Sequence, residues 1–252
     1  MTKDEALQAY TLRLGDNALI LGQRLIELVA AGPELEEELA NANFALDFIG
    51  QARMFYSYAG EIEGKGRCED DFAFLRDDRE FANFLLVEQP NGHFGDVIVR
   101  QVLFDSFYGL QLEALTKCKD KRLAEIAVRA GKEICYHLRH TSQWLVRLGD
   151  GTAESHARAT EALGRLWRYA GEMFAGDEVD IILQSAFDGP DLETIEAQWS
   201  LKVAAILDDA TLAIPDEKWI IGGGRQGHHS ESMGFLVAEM QFLQRAYAGA
   251  TW

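Results

Sequence analysis

Residues 122–148, RLAEIAVRAGKEICYHLRHTSQWLVRL, contain no proline and a single glycine, Gly131. Leu123, Ile126, Ala127, Ala130, Ile134, Leu138, Leu145 and Leu148 recur there at steps of three and four, the spacing of one buried stripe on an α-helix. At about 1.5 Å per residue the helix is roughly 40 Å long. The same stretch carries Glu133, His137 and His140 at i, i+4 and i+7, which places the three side chains on one helix face. A carboxylate and two imidazoles facing inward either bind a metal or satisfy one another.

The rest of the chain repeats the helical pattern. Only Pro33, Pro90, Pro190 and Pro215 interrupt it. The spacing predicts a first helix over 4–30, striped by Leu14, Ala18, Leu21, Leu25 and Leu28. Pro33 in a first turn then opens a second helix over 33–59, its acids Glu34 and Glu36 to Glu38 favouring the dipole. The second helix is expected to bury Ala42, Ala45, Leu46, Ile49, Ala52 and Phe55. A glycine-rich, charged break follows, then a short helix over 77–86. Helices over 93–117, 120–148, 153–175, 191–209 and 230–247 complete the chain, with Trp167 and Phe174 as core candidates and Ser230 as an N-cap. Residues 176–190 read as irregular and 213–229 as a loop. Strand-like alternation is almost absent. The expected class is therefore all-α: a ferritin-like bundle of four core helices (4–30, 33–59, 93–117, 120–148) with additional C-terminal helices, in a single domain 1–252. The long link between the second and third core helices is the crossover such a bundle uses.

A di-iron centre in that fold needs Glu-x-x-His on two helices. The residues three before His93, His137, His140, His156, His228 and His229 are Pro90, Ile134, His137, Ala153, Arg225 and Gln226, so the motif is absent. Remnants of such a site are visible. The second helix has Asp47 followed by Gly50, the third has Asp105, and the fourth has Glu133 followed by Tyr136, with His137 about 100° further round. Gly50 offers no ligand, and a neutral tyrosine is a poor one for a hard cation. Two accounts fit these residues. Glu133, His137 and His140 hold some metal with help from Asp105, or Asp47, Asp105, Glu133 and the histidines form a buried hydrogen-bond network, since buried polar groups are costly unless paired.

The formal charge of −17 opposes binding to nucleic acid or to anionic membranes, and favours either solubility or a basic partner protein. No apolar run approaches the roughly 18 residues of a membrane span, and the N-terminal MTKDEALQAY lacks the apolar centre of a signal peptide. Three cysteines without CxxC spacing fit reduced thiols in a cytoplasmic protein. GGGRQG at 222–227 lacks the lysine-serine pair of a phosphate loop and follows no strand, so it is expected to be a hinge or docking segment. Residues 76–83, RDDREFAN, combine two arginines, an aromatic and an amide. That suits a phosphate-bearing ligand or a partner's rim as well as it suits a solvated short helix.

Five stretches together resemble one family: AYTLRLGDNALILGQRL at 9–25, ANANFALDFIGQAR at 40–53, RDDREFANFLLVEQPNGHFGD at 76–96, KEICYHLRHTSQWLVRLGDGT at 132–152 and HSESMGFLVAEMQFLQRAYAGATW at 229–252. They are similar to the PaaC family of phenylacetate degradation, the C-type chains of the bacterial phenylacetyl-CoA epoxidase (ring-1,2-epoxidase), and the resemblance covers essentially the whole chain. It implies a ferritin-like relative of that enzyme's catalytic A-type chain, one that has lost the metal ligands and pairs with the catalytic subunit in a structural role. The complex it implies is a monooxygenase that converts phenylacetyl-CoA to its ring epoxide with oxygen and electrons from NADPH. The expectations for this chain are then no catalytic residue and no cofactor of its own, di-iron in the catalytic partner, and a cytoplasmic location. The resemblance also implies that CoA can lie against Glu80, Phe81, Ala82 and Asn83, and against Ile181, Ile182 and Leu183. Glu80 and Ala82 depart from the family pattern, which leaves backbone contacts to carry over. The alternatives are an autonomous metalloenzyme using Glu133, His137 and His140, and an acyl-CoA binding module.

Overall fold

The computed structural model describes residues 1–29, 31–216 and 221–250. The expected end of the first helix at Ala30 and residues 217–220 of the expected loop lie outside them. Among the described residues every regular element is helical: α1 (Lys3–Ile26), α2 (Leu35–Glu63), α3 (Glu69–Phe74), α4 (Leu85–Glu88), α5 (Phe94–Leu115), α6 (Lys121–Gly149), α7 (Ala153–Trp167), α8 (Glu178–Phe187), α9 (Leu192–Asp209) and α10 (Glu231–Ala246). Short 3-10 turns stand at Asp78–Glu80, Ala170–Phe174 and Gly224–Gln226. The class is all-α and ferritin-like. It has two pairs of long helices, each pair joined by a short link, and one long connection leads from the first pair to the second. The chain gathers into two compact units, Met1–Pro90 with Gly222–Trp252, and Asn91–Ile221, where the sequence alone suggests one domain.

In the first unit α1 packs along α2. A capping box opens α1, with Thr2 Oγ1 accepting from the Glu5 amide at 3.2 Å and Glu5 accepting from the Thr2 amide at 2.7 Å. The predicted stripe Leu14, Ala18, Leu21, Leu25, Leu28 is buried. Contact is close at Gly15, where an added Cβ would lie 2.5 Å from the Tyr56 ring. The buried face of α2 differs from the expected one. Ala45, Ala52 and Phe55 are buried as expected, but Phe44, Phe48 and Tyr56 join them, whereas Leu46 is 65 % exposed. The larger rings gain more by burial, and they rotate the helix so that Leu46 turns outward. Pro33 lies outside the helix, because Glu34 is the N-cap residue and Leu35 the first helical one.

In the second unit α5 is buried nearly all round and packs against α6, α7 and α9. A helix apolar on every side belongs in the middle of its unit, and α6, with a single apolar stripe, belongs on the outside. Asp120 caps α6 by accepting from the Leu123 amide at 2.8 Å. Trp199 of α9 donates its indole N–H to the Leu103 carbonyl at 3.0 Å, and its ring meets Trp167 at 5.5 Å and Phe174 at 5.2 Å. The two predicted core aromatics thus pack around a third.

Three stretches depart from expectation. Residues 153–175 form α7 and a separate 3-10 turn rather than one helix. Residues 176–190, expected to be irregular, contain α8, capped by Asp177. Residues 77–86 are not a helix. A 3-10 turn ends at Glu80, the chain runs extended past Phe81, and α4 begins at Leu85.

Candidate functional site

The degenerate metal positions divide between core and rim. Asp105, midway along α5, is fully buried. Its Oδ2 lies 3.4 Å from the Gln101 amide nitrogen, and its Oδ1 has no hydrogen-bond partner, nor have Gln101 Oε1 and Ser106 Oγ. Burial pushes the Asp105 carboxyl well above the usual carboxylate range, the charge of Arg100 opposing only in part. Burial thus favours its protonated form. His137 on α6 is also fully buried, and its carbonyl accepts from the Thr141 hydroxyl at 3.0 Å. The remaining residues stand at the edge. Glu133 is half-buried with Arg129 at 3.7 Å, and His140 is half-buried. Tyr136 is 51 % exposed, with the Arg139 guanidinium 5.5 Å from its ring centroid. Asp47 is half-buried on α2, in the first unit. Of the residues of the expected network, Asp105 and His137 lie in the core, Glu133, His140 and Asp47 are half-buried, and the neighbouring Tyr136 is exposed. Among the described residues no group of three or more His, Cys, Asp or Glu side chains could hold a metal ion. These positions do not fit a pair of irons.

Asp105 borders a cavity of ≈ 800 Å³ formed by α5, α6 and α9. Ala127 and Ile134 are buried in its wall, while Lys132 and Arg139 line its edge. Lys202 of α9, half-buried, also lines it.

The 76–83 segment is fixed by a buried ion pair that crosses 60 residues of sequence. The Arg76 guanidinium donates to both carboxylate oxygens of Asp16, one at 3.2 Å and the other in a very short contact. Tyr56 donates to Asp16 at 2.6 Å and the Ala82 amide donates to it at 2.8 Å. Arg76 also donates to the carbonyls of Phe72 at 2.6 Å and Glu80 at 3.0 Å, and covers the Phe81 ring at 4.1 Å. Burial opposes the charge on Arg76, but Asp16 outweighs it and holds the guanidinium above its ordinary value. Burial first, then Asp16, raises the Tyr56 hydroxyl. From the other side Gln241 of α10 donates to the carbonyls of Ala73 at 3.0 Å and Arg76 at 2.9 Å.

A second buried node forms around Glu88. Its Oε2 accepts from Asn83 Nδ2 at 2.9 Å and meets His229 Nδ1 at 2.7 Å, and its Oε1 accepts from the Ser230 amide at 2.6 Å. His229 Nε2 lies 3.0 Å from the Phe81 carbonyl. Both ring nitrogens face acceptors, an arrangement only the doubly protonated imidazolium satisfies. Burial works against that charge, yet Glu88 and the Phe81 carbonyl overcome it and raise the His229 pKa. Ser230 is the N-cap residue of α10, but its hydroxyl makes no capping bond. Glu88 holds the backbone there instead.

The residues expected to meet CoA are thus mostly committed internally. Glu80 is exposed and accepts from the Asp77 amide at 2.7 Å, whereas Phe81 and Asn83 are buried and the Ala82 amide belongs to Asp16. On α8 Ile181 is 65 % exposed, Ile182 half-buried and Leu183 buried. Cys68, Cys118 and Cys135 are all free thiols, with burial raising that of Cys118. No described helix is long and apolar enough to cross a membrane.

An all-α chain of two helical pairs, with a buried acid in the middle of one of them and no Glu-x-x-His in its sequence, defines the class: a ferritin-like helical fold. The family described as phenylacetic acid catabolic protein matches residues 1–252, and the chain belongs to it. It is also 48 % identical over 246 residues to the protein of Escherichia coli (strain K12) named as the C-subunit of 1,2-phenylacetyl-CoA epoxidase, covering 98 % of this chain and 99 % of that one.

Proposed function

We propose that this chain is the C-type component of a phenylacetyl-CoA 1,2-epoxidase, a non-catalytic partner of the di-iron catalytic subunit in aerobic phenylacetate degradation. The observation that carries the proposal is the 48 % identity to the Escherichia coli protein across almost the full length of both chains. Two further features support it. The chain has no Glu-x-x-His, and Asp105 is buried, Glu133 half-buried and Tyr136 exposed, which supports helices of an oxygenase component without its ligand set. It also exposes Leu35, Leu39 and Leu46 on α2 to 66 %, 57 % and 65 %, an apolar row at helical spacing of the kind a protein–protein interface covers.

Within that assembly the chain scaffolds the catalytic subunit, and contact with the CoA portion of the substrate is assigned to exposed Glu80 in the first unit and, separately, to exposed Ile181 and half-buried Ile182 in the second. Buried Phe81, Asn83 and Leu183 shape the backbone beneath, and Ala82 anchors it through Asp16. Co-expression with the di-iron partner tests the reading. The two chains are expected to co-purify, with epoxidation requiring both and iron tracking the partner. Full activity of that partner without this chain overturns it. Because the α2 row is apolar, the assembled complex is expected to survive about 0.5 M salt, while the acidic surface makes its association rate fall with salt.

A further inference from the structure

The cavity beside Asp105 has the composition of a ligand site. Its volume, ≈ 800 Å³, falls within the range of small-molecule pockets. The deep wall is apolar, with Ala127 and Ile134 buried. Gly109 and Gly131 widen it. A Cβ added at Gly131 would meet no atom within 4 Å, and one at Gly109 would only touch Ile134, at 3.6 Å. At the buried end stands Asp105, whose Oδ1 has no hydrogen-bond partner. The rim is cationic, with Lys132, Arg139 and Lys202 against one acid, Glu113, which already lies 3.8 Å from Lys117. In a chain of net charge −17 three cations around one opening run against the overall balance.

We propose that this cavity binds an amphiphilic organic anion, its apolar body between α5, α6 and α9 and its anionic head on Lys132, Arg139 and Lys202. The proposal does not depend on the epoxidase assignment, since it concerns a cavity contained in the second unit.

The probe is 8-anilino-1-naphthalenesulfonate, with uncharged N-phenyl-1-naphthylamine as its counterpart, titrated against the full chain by fluorescence. One saturable equivalent of the sulfonate is expected. Gly131→Leu places a side chain into open space and raises helix propensity, so it folds and closes the cavity. It is expected to abolish saturable binding of both dyes with an unchanged or higher melting temperature. Lys132→Glu with Lys202→Glu is expected to weaken the sulfonate about fivefold or more and to leave the neutral dye nearly unchanged. Cys135, exposed and lining the cavity, is expected to alkylate more slowly when the sulfonate is bound, while Cys68, exposed elsewhere, alkylates at the same rate. Sulfonate binding that persists in Gly131→Leu, or that protects both cysteines equally, is surface adsorption and overturns the proposal. So does absence of saturable binding to the wild-type chain.

Discussion

Asp16 and Arg76 show how much a buried pair depends on both partners. Each is enclosed, and between them they fix Tyr56, Ala82 and the Phe81 ring. Removing one partner strands the other's charge, so Asp16→Ala and Arg76→Ala are each expected to cost about 3–5 kcal/mol by urea unfolding, and the double variant less than their sum. His229 gives a pH signature. Its folded pKa lies above the unfolded value of about 6.5, so the stabilisation is complete below that pH and is lost as pH rises through the folded pKa. The melting temperature is expected to fall across that window, and His229→Gln to flatten the fall; an equal slope in the variant contradicts the assignment. Asp105 acts through its own proton. Its folded pKa is raised, so the charged form that prevails in the unfolded chain above about pH 4 is disfavoured on folding. Asp105→Asn is therefore expected to raise the melting temperature near pH 7, with the gain vanishing towards about pH 4. None of these pairings is legible in the sequence. The partners are 60 and 141 residues apart, and no local spacing marks them.

At the scale of elements, what could be read from the sequence was what repeats. α1, α2, α5 and α6 are long enough for a period of 3.6 to stand out, and their predicted ends lie within a few residues of the observed ones. The short helices were hidden by their own caps. Glu69, Asp70 and Asp71 resemble a charged break, yet they are the acidic first turn of α3. Asp177 three residues before Asp180 is the capping pair of α8, a signal present in the sequence and outweighed there by neighbouring glycines. The predicted helix over 77–86 fails for a tertiary reason. Asp16 takes the Ala82 amide, and Asn17 takes the Phe84 amide at 2.8 Å, so the N–H groups a helix would use are bound to α1. The α2 face belongs to this scale too. Leu39→Glu with Leu46→Glu alters only exposed positions, so stability is expected to shift by no more than about 0.5 kcal/mol each, while co-purification with the di-iron partner is lost. Retention of the partner moves the interface elsewhere.

For the whole molecule, the candidate site was legible by its gaps rather than its geometry. The missing Glu-x-x-His can be counted in the sequence, but that Asp105 and His137 are buried, Glu133 half-buried and Tyr136 exposed required the helices to be placed. The cavity beside Asp105 gave no sequence signal, since glycines on α5 and α6 and cations on α6 and α9 become neighbours only after packing. Native mass spectrometry of the chain co-expressed with the di-iron partner tests the proposed role most directly. The account predicts a heteromer from which this chain is released free of iron while the partner retains two iron ions; release of this chain carrying the metal, or its failure to join the heteromer, contradicts it.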